Sequence, residues 1–406
     1  MLATLIPLFD SEMAVKAYSL FTQKQNFLMH PSYLGTGVND GAGTITGLEI
    51  INSIGIDNLT TDSDIFVSLT PISLFADVEN QCLAPANRIV LLIDNSVQPK
   101  SLNIERIKEL KNKGYKFAVR KLNVSDFDVY KHILALMDYI ILDHKKIVIS
   151  KAKIFFTKLY PDIKLVAGNI ANQEIYDALK REGGYHLYEG EFYRTPITKG
   201  ESQVAPIKVN YIELLNVVNK ADFELTQAAD VISRDTALTI SLLEMVNRMT
   251  VNSKISNIRQ AAALLGQKEL KKWISTAVTK QLCADKPTEV ARVSMLRAKF
   301  AENLAAMFNL AIRAQDLFML GLFSCLDIIL NKPMSEALSM LNVSKDISEA
   351  LIDRRGDFSD VYDFIISYEN ANWSEIDRIS ILKNLDSDKI YDAYIQSLKW
   401  YRDLFF

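Results

Sequence analysis

The sequence predicts a two-domain protein, an α/β barrel over residues 1–200 followed by an all-α domain over 201–406. Three observations carry this. Short β-branched runs alternate with helical patterns through the first half, the strand signal stops in a polar stretch near residue 200, and almost every later segment repeats apolar residues at helical spacing. Apolar strands separated by helices belong to a parallel sheet covered on both faces. Several such units in series close into a TIM-like (β/α) barrel.

The strand-like runs are DIFVSLT at 64–70, RIVLLID at 88–94, YKFAVRKL at 115–122, YIILD at 139–143, KLVAG at 164–168 and YHLYEG at 185–190. Between them lie SLNIERIKELKNKG, with Gly114 placed as C-cap, and NQEIYDALKREGG, stopped by Gly183 and Gly184. ITKGESQVAPIKVN at 197–210 marks the boundary. YIELLNVVNKA then opens the helical half, and Asp235 and Thr236 start a helix with Leu238, Leu242, Met245, Val246 and Met249 on one face. Ser256 is placed as N-cap of the next, which carries Ile258, Ala261, Ala262 and Leu265 and ends at Gly266. Asn247, between these two helices, is positioned to cap exposed backbone. A further helix repeats the spacing with Leu270, Trp273, Ile274, Ala277 and Val278. Later helices end in KIYDAYIQSLKWYRDLFF. Its Tyr391, Tyr394, Trp400, Tyr401, Phe405 and Phe406 are expected to pack back onto the helical domain, with a helix-in-groove or dimer contact as the alternative.

A net charge of −3, from 46 basic and 49 acidic residues, gives no global field for nucleic acid or anionic lipid. Cys82, Cys283 and Cys325 are too few and too scattered for a disulfide frame or a zinc motif. MLATLIPLF lacks a basic n-region, and no apolar run approaches the ~20 residues that span a bilayer. A cytoplasmic protein without membrane contact is expected. The glycine-rich LGTGVNDGAGTITG at 34–47 fits neither phosphate-loop pattern, because Asp40 occupies the third glycine of G-x-G-x-x-G and no G-K-[ST] follows. It reads as a barrel loop. ISNIRQAAALLGQKELKKWI has the length of a helix-turn-helix with Lys268, Lys271 and Lys272 on its second helix. From Val204 onward, however, 24 basic residues face 26 acidic ones, which argues for a solvated face rather than nucleic-acid binding.

RDTALTISLLEMVN, a loop, ISNIRQAAALLG and the helix with Trp273 resemble the core of the HDOD domain, the metal-free relative of HD-type phosphohydrolases. In the first half, IPLFDSEMAVKAYSLF resembles the opening hairpin of the EAL domain. IVLLIDNSVQP with IKELKNKGYKFAVRKL resembles its central βαβ segment, and GYHLYEGEFYRTP its closing strand and loop. This second resemblance spans roughly 1–198 and lies in the order of segments rather than in one motif. It implies the barrel that, in its active form, hydrolyses cyclic di-GMP with divalent metals.

Residue by residue, the resemblance removes that chemistry. Ser19 stands for the motif glutamate, Gln23 for a phosphate-binding arginine, Ser68 for an asparagine ligand and Leu92 for a glutamate. Arg120 and Lys121 replace a pair of aspartates, Ile141 a lysine, Gly168 a late glutamate and Glu189 a glutamine, while Asp143 remains. In the helical half GLFSCLD matches GLLHDIG, so Ser324 and Cys325 replace the His-Asp pair, and Arg297 falls near the upstream histidine. His30, His132, His144 and His186 all precede residue 200. No histidine is left there to hold metal or to activate Cys325.

The resulting expectation is a non-enzymatic bacterial signal transduction protein, without catalytic residues, metal or cofactor, in a cyclic di-GMP-linked or motility pathway. Its partners would be other signalling proteins, with a homodimer left open. A sensor that binds cyclic di-GMP or another nucleotide without hydrolysis is the alternative, and a weak cyclic di-GMP phosphodiesterase the second alternative. Candidate contacts are Arg120 and Lys121 for a nucleotide phosphate and Lys271 and Lys272 for a partner. The plainer reading pairs Arg120 and Lys121 with Asp126 and Asp143.

Overall fold

The computed structural model describes residues 1–23, 44–60, 62–196, 198, 206–220, 222–249 and 255–405. It divides into two compact units, 1–195 with 363–406, and 196–362. Most of the glycine-rich run at 34–47 and of the boundary stretch at 197–210 lies outside the described residues.

In the first unit, eight strands close into a barrel in sequence order: β1 (Leu2–Phe9), β2 (Val15–Gln23), β3 (Asp64–Ser68), β4 (Ile89–Ile93), β5 (Lys116–Val119), β6 (Tyr139–Asp143), β7 (Lys164–Ile170) and β8 (Leu187–Gly190). β1 runs antiparallel to both neighbours, and every other pair is parallel. Strand alternation aims Leu8, Ala17, Phe66, Val90, Leu92, Ala118, Tyr139, Ile141, Val166 and Leu187 into one buried lumen cluster. The opposite faces meet outer helices such as Ser101–Asn112 and Gln173–Glu182, so β4 is buried along its whole length. The expected glycine stops hold: Gly114 has φ 96° and Gly183 caps its helix at φ 68°.

The β1–β8 seam of the barrel is short. β1 pairs with β2 from Leu2 to Phe9 but with β8 only at Leu8 and Phe9, which leaves the outer edge of Ala3, Leu5 and Pro7 without a strand. Proline has no N–H to leave unpaired there. The Ala3 amide donates to the Tyr368 hydroxyl at 3.3 Å and the Leu5 amide to the Tyr394 hydroxyl at 3.4 Å. Both tyrosines come from the C-terminal segment, whose helices Trp373–Leu382 and Ser387–Phe405 belong to this unit. Buried Gln23 also donates to Asp377 at 2.7 Å, and Arg194 pairs with Glu369 at 2.8 Å. The terminal aromatics were expected on the helical domain, and the structure puts Tyr394 on the barrel instead. The physical reason is the exposed edge, whose amides need acceptors.

The second unit is all-helical. Its helices include Pro206–Val218, Leu225–Ile232, Thr236–Met249, Ile258–Leu282, Thr288–Leu304 and Ala314–Phe323. The long helix breaks at Gly266, where φ is 72° and a left-handed residue is needed. Its N-cap is Asn257, one residue past the expected Ser256, accepting from Arg259 and Gln260. Asn247 does cap backbone: its amide donates to Leu243 and Ile255 carbonyls, both at 2.8 Å, and accepts the Ile255 N–H at 2.7 Å. Among the described residues no helix is long and apolar enough to cross a membrane.

Candidate functional site

Continuing the lumen alternation toward the strand C-termini reaches the positions singled out from sequence. Ser19 is two residues past Ala17, Ser68 two past Phe66, Arg120 two past Ala118, Asp143 two past Ile141, Gly168 two past Val166 and Glu189 two past Leu187. The registers Ser68↔Leu92, Leu92↔Ala118, Asp143↔Gly168 and Leu8↔Glu189 bring them to one end of the barrel. Active sites of such barrels sit at that end.

Arg120 and Glu189 form its centre. Glu189 is 8% exposed, its Oε1 lies 3.9 Å from an Arg120 nitrogen, and its Oε2 is buried without a hydrogen-bond partner among the described residues. Burial pushes the Glu189 carboxyl up, Arg120 offsets part of that, and Asp143 adds to it. The Arg120 guanidinium lies over the Phe21 ring at 5.4 Å. Ser19 Oγ is also buried without a hydrogen-bond partner among the described residues.

Lys121 takes a different course. It adopts φ 60°, a conformation unfavourable for any residue with a Cβ, and its ammonium reaches Asp94 at 3.0 Å. The other Asp94 oxygen accepts the Ser96 amide at 3.0 Å and hydroxyl at 2.6 Å. Burial raises the Asp94 pKa, but Ser96 and Lys121 outweigh it and hold the carboxyl below its ordinary value. The expected partners are therefore corrected. Asp126 accepts the Asn123 amide at 2.7 Å, and Asp143 accepts the Lys145 amide at 3.0 Å and the Asn169 side chain at 3.3 Å. Asn123 and Lys145 are near in sequence, and each carboxylate closes its own turn.

A cavity of about 660 Å³ opens beyond these residues, lined by Phe21, Ser68, Asp94, Arg120, Lys121 and Trp373 among others. Trp373 was not foreseen, because nothing local ties it to β2 more than 300 residues earlier. Asp94 was legible, since D-x-S is an Asx-turn pattern.

The donor set does not suit a divalent cation. Three carboxylates stand at this end, Asp94, Asp143 and Glu189, but Asp94 is engaged by Lys121 and Ser96 and a guanidinium lies beside Glu189, and the described residues hold no cluster of three or more His, Cys, Asp or Glu that could hold a metal ion. At Gly168 a Cβ would lie 2.8 Å from Ile141 Cγ2, so a restored glutamate would need room that Ile141 fills.

In the second unit Arg297, 4% exposed, donates to Ser324 Oγ at 3.1 Å and lies 3.5 Å from Cys325 Sγ. Gly321 lets its helix meet the Thr288–Leu304 helix, for a Cβ there would lie 2.4 Å from Arg297 backbone. Lys272 is turned inward: it binds both Glu302 oxygens at 2.8 and 2.7 Å and sits 4.6 Å over Phe318. Lys271 is half-buried, and burial lowers its pKa against the pull of Asp316. The two lysines are not one solvated face.

Residues 204–353 match the profile of the HDOD domain. The helical unit carries an HDOD domain. Its bounds fall within 196–362, the unit that contains Arg297, Ser324 and Cys325. The whole chain is similar to the uncharacterized protein YuxH of Bacillus subtilis, 26% identical over 98% of this chain and 97% of that protein. It is also similar to CdgJ of Vibrio cholerae, named a cyclic di-GMP phosphodiesterase, at 24% identity over 79% of this chain and 74% of CdgJ. The crystal structure of the EAL domain of Mycobacterium smegmatis DcpA aligns at 16% identity and TM-score 0.37, over 47% of this chain and 89% of that domain. The HDOD match falls in the second half of the chain, as expected from sequence.

Proposed function

We propose that this chain is a non-enzymatic signalling protein of a cyclic di-GMP-linked pathway, with the barrel and the HDOD domain both acting as binding surfaces. The observation that carries the reading is Arg120. A fixed guanidinium stands in the lumen beside Glu189, at a position where the resemblance places a metal-binding aspartate. Its charge opposes a divalent ion among the carboxylates at this end of the barrel. The pathway rests on the name of CdgJ and on the pairing of barrel and HDOD domain.

The test uses the purified full chain with cyclic di-GMP and Mg²⁺ or Mn²⁺. No hydrolysis above a heat-inactivated control is expected. Turnover that rises with metal and falls in Arg120→Ala would overturn the reading. Capture of specific protein partners from the native cell by the cross-linked full chain is the positive outcome.

A further inference from the structure

We propose that the mouth of the barrel binds a small organic anion, a single acidic group on a planar ring, with the acid on Arg120 and the ring against Phe21 and Trp373. This goes beyond the protein-contact reading and does not depend on it. At about 660 Å³ the cavity lies in the range of small-molecule sites, and its lining mixes aromatic and aliphatic side chains with a few convergent polar ones.

The ligand class follows from the charge balance. Lys121 is held by Asp94, and Asp94 by Ser96, so that corner of the cavity is neutral and saturated. Arg120 is not saturated. Among the described residues its guanidinium meets a carboxylate only at 3.9 Å, beyond hydrogen-bond distance, and otherwise a ring face. This forked donor group lines the cavity without a hydrogen-bond acceptor among the described residues. Glu189 beneath it is a weak counter-charge, since burial favours its neutral form, and its Oε2 has no partner among the described residues. One acidic group completes this arrangement, whereas a second would meet Asp94, which is already occupied. Trp373 and Phe21 both line the cavity and supply flat aromatic surface, and Trp373 packs edge-on to Tyr368 at 5.4 Å.

The test is calorimetry and intrinsic fluorescence on the full chain with phenyl phosphate, benzoate and inorganic phosphate, and with cyclic di-GMP in parallel. Phenyl phosphate or benzoate is expected to bind tighter than about 1 mM and to alter tryptophan emission, the two arms telling phosphate from carboxylate. Inorganic phosphate, lacking the ring, should be about tenfold weaker. Arg120→Ala should cost about tenfold to a hundredfold in affinity, and Trp373→Leu should bring the ring-bearing ligand down to inorganic phosphate. Thermal unfolding checks that each variant is folded; should Arg120→Ala fail, Arg120→Lys and Trp373→Leu carry the decision. Absence of binding by every ring-bearing monoacid, or binding that survives loss of both side chains, overturns the proposal. Binding of cyclic di-GMP alone overturns the single-acid assignment.

Discussion

Replacing Tyr394 by phenylalanine takes one oxygen out of the barrel seam and leaves the ring in place. That hydroxyl lies 3.4 Å from the Leu5 amide nitrogen and 3.4 Å from Thr4 Oγ1. Both contacts are long, so the bonds themselves are worth about 0.5 kcal/mol each. The Leu5 amide has no second acceptor within reach on β8, which meets β1 only at Leu8 and Phe9. Left buried and unpaired, it adds about 1 kcal/mol. A loss of about 1–2 kcal/mol follows, or about 2–4 °C per kcal/mol in the melting of a domain this size. Tyr368→Phe removes the acceptor of Ala3 in the same way, and the double variant should lose about 2–4 kcal/mol. Departure from additivity would report the Tyr368–Tyr394 ring contact at 5.0 Å. Urea unfolding gives the energies, and amide hydrogen exchange at Ala3 and Leu5 gives the site. A Tyr394→Phe variant within about 0.3 kcal/mol of the native protein, with Leu5 exchange unchanged, would refute the seam argument.

Glu189→Gln is expected to stabilise the protein at neutral pH and to do nothing at acid pH. The folded carboxyl titrates above its ordinary value of 4.5, so its contribution is full below that value and is lost as pH rises through the folded pKa; urea midpoints from pH 4 upward check this. Lys272→Ala should cost about 1–3 kcal/mol through loss of the bidentate Glu302 pair and the Phe318 contact, whereas Lys271→Ala should stay within about 0.5 kcal/mol, as chemical denaturation would show. Asn247→Ala strips the Ile255 backbone of both its side-chain partners and should cost about 2–3 kcal/mol, with faster exchange of the Ile255 amide as the local sign.

Much of the barrel was legible because its signals are local. Alternation, β-branched runs and glycine stops each act over a few residues, and β4 or the helix ending at Gly183 could be read from them directly. The same holds for Asn247, whose partners lie within eight residues. The seam was not legible. Whether β1 finds a full partner in β8 depends on the lengths and tilts of eight strands together, and no residue near Ala3 announces that tyrosines 368 and 394 will complete it. The site divides the same way. Arg120 could be located by its strand, but its partner Glu189 sits on a different strand, and the left-handed turn that swings Lys121 to Asp94 has no glycine to mark it.

Arg120 in the barrel unit and Arg297 in the helical unit differ in what surrounds them. Arg297 is buried within its helical unit, bonded to Ser324 and close to Cys325. A buried guanidinium bonded to the Ser324 side chain supplies positive charge there without exchangeable coordination sites. Arg120 is fixed in position too, but it faces a cavity, and its nearest carboxylate is too far for a hydrogen bond and disfavoured as an anion. A saturated buried cation has nothing to gain from a ligand; an unsaturated one at the wall of a cavity does. Any response to a small molecule is therefore expected to originate in the barrel.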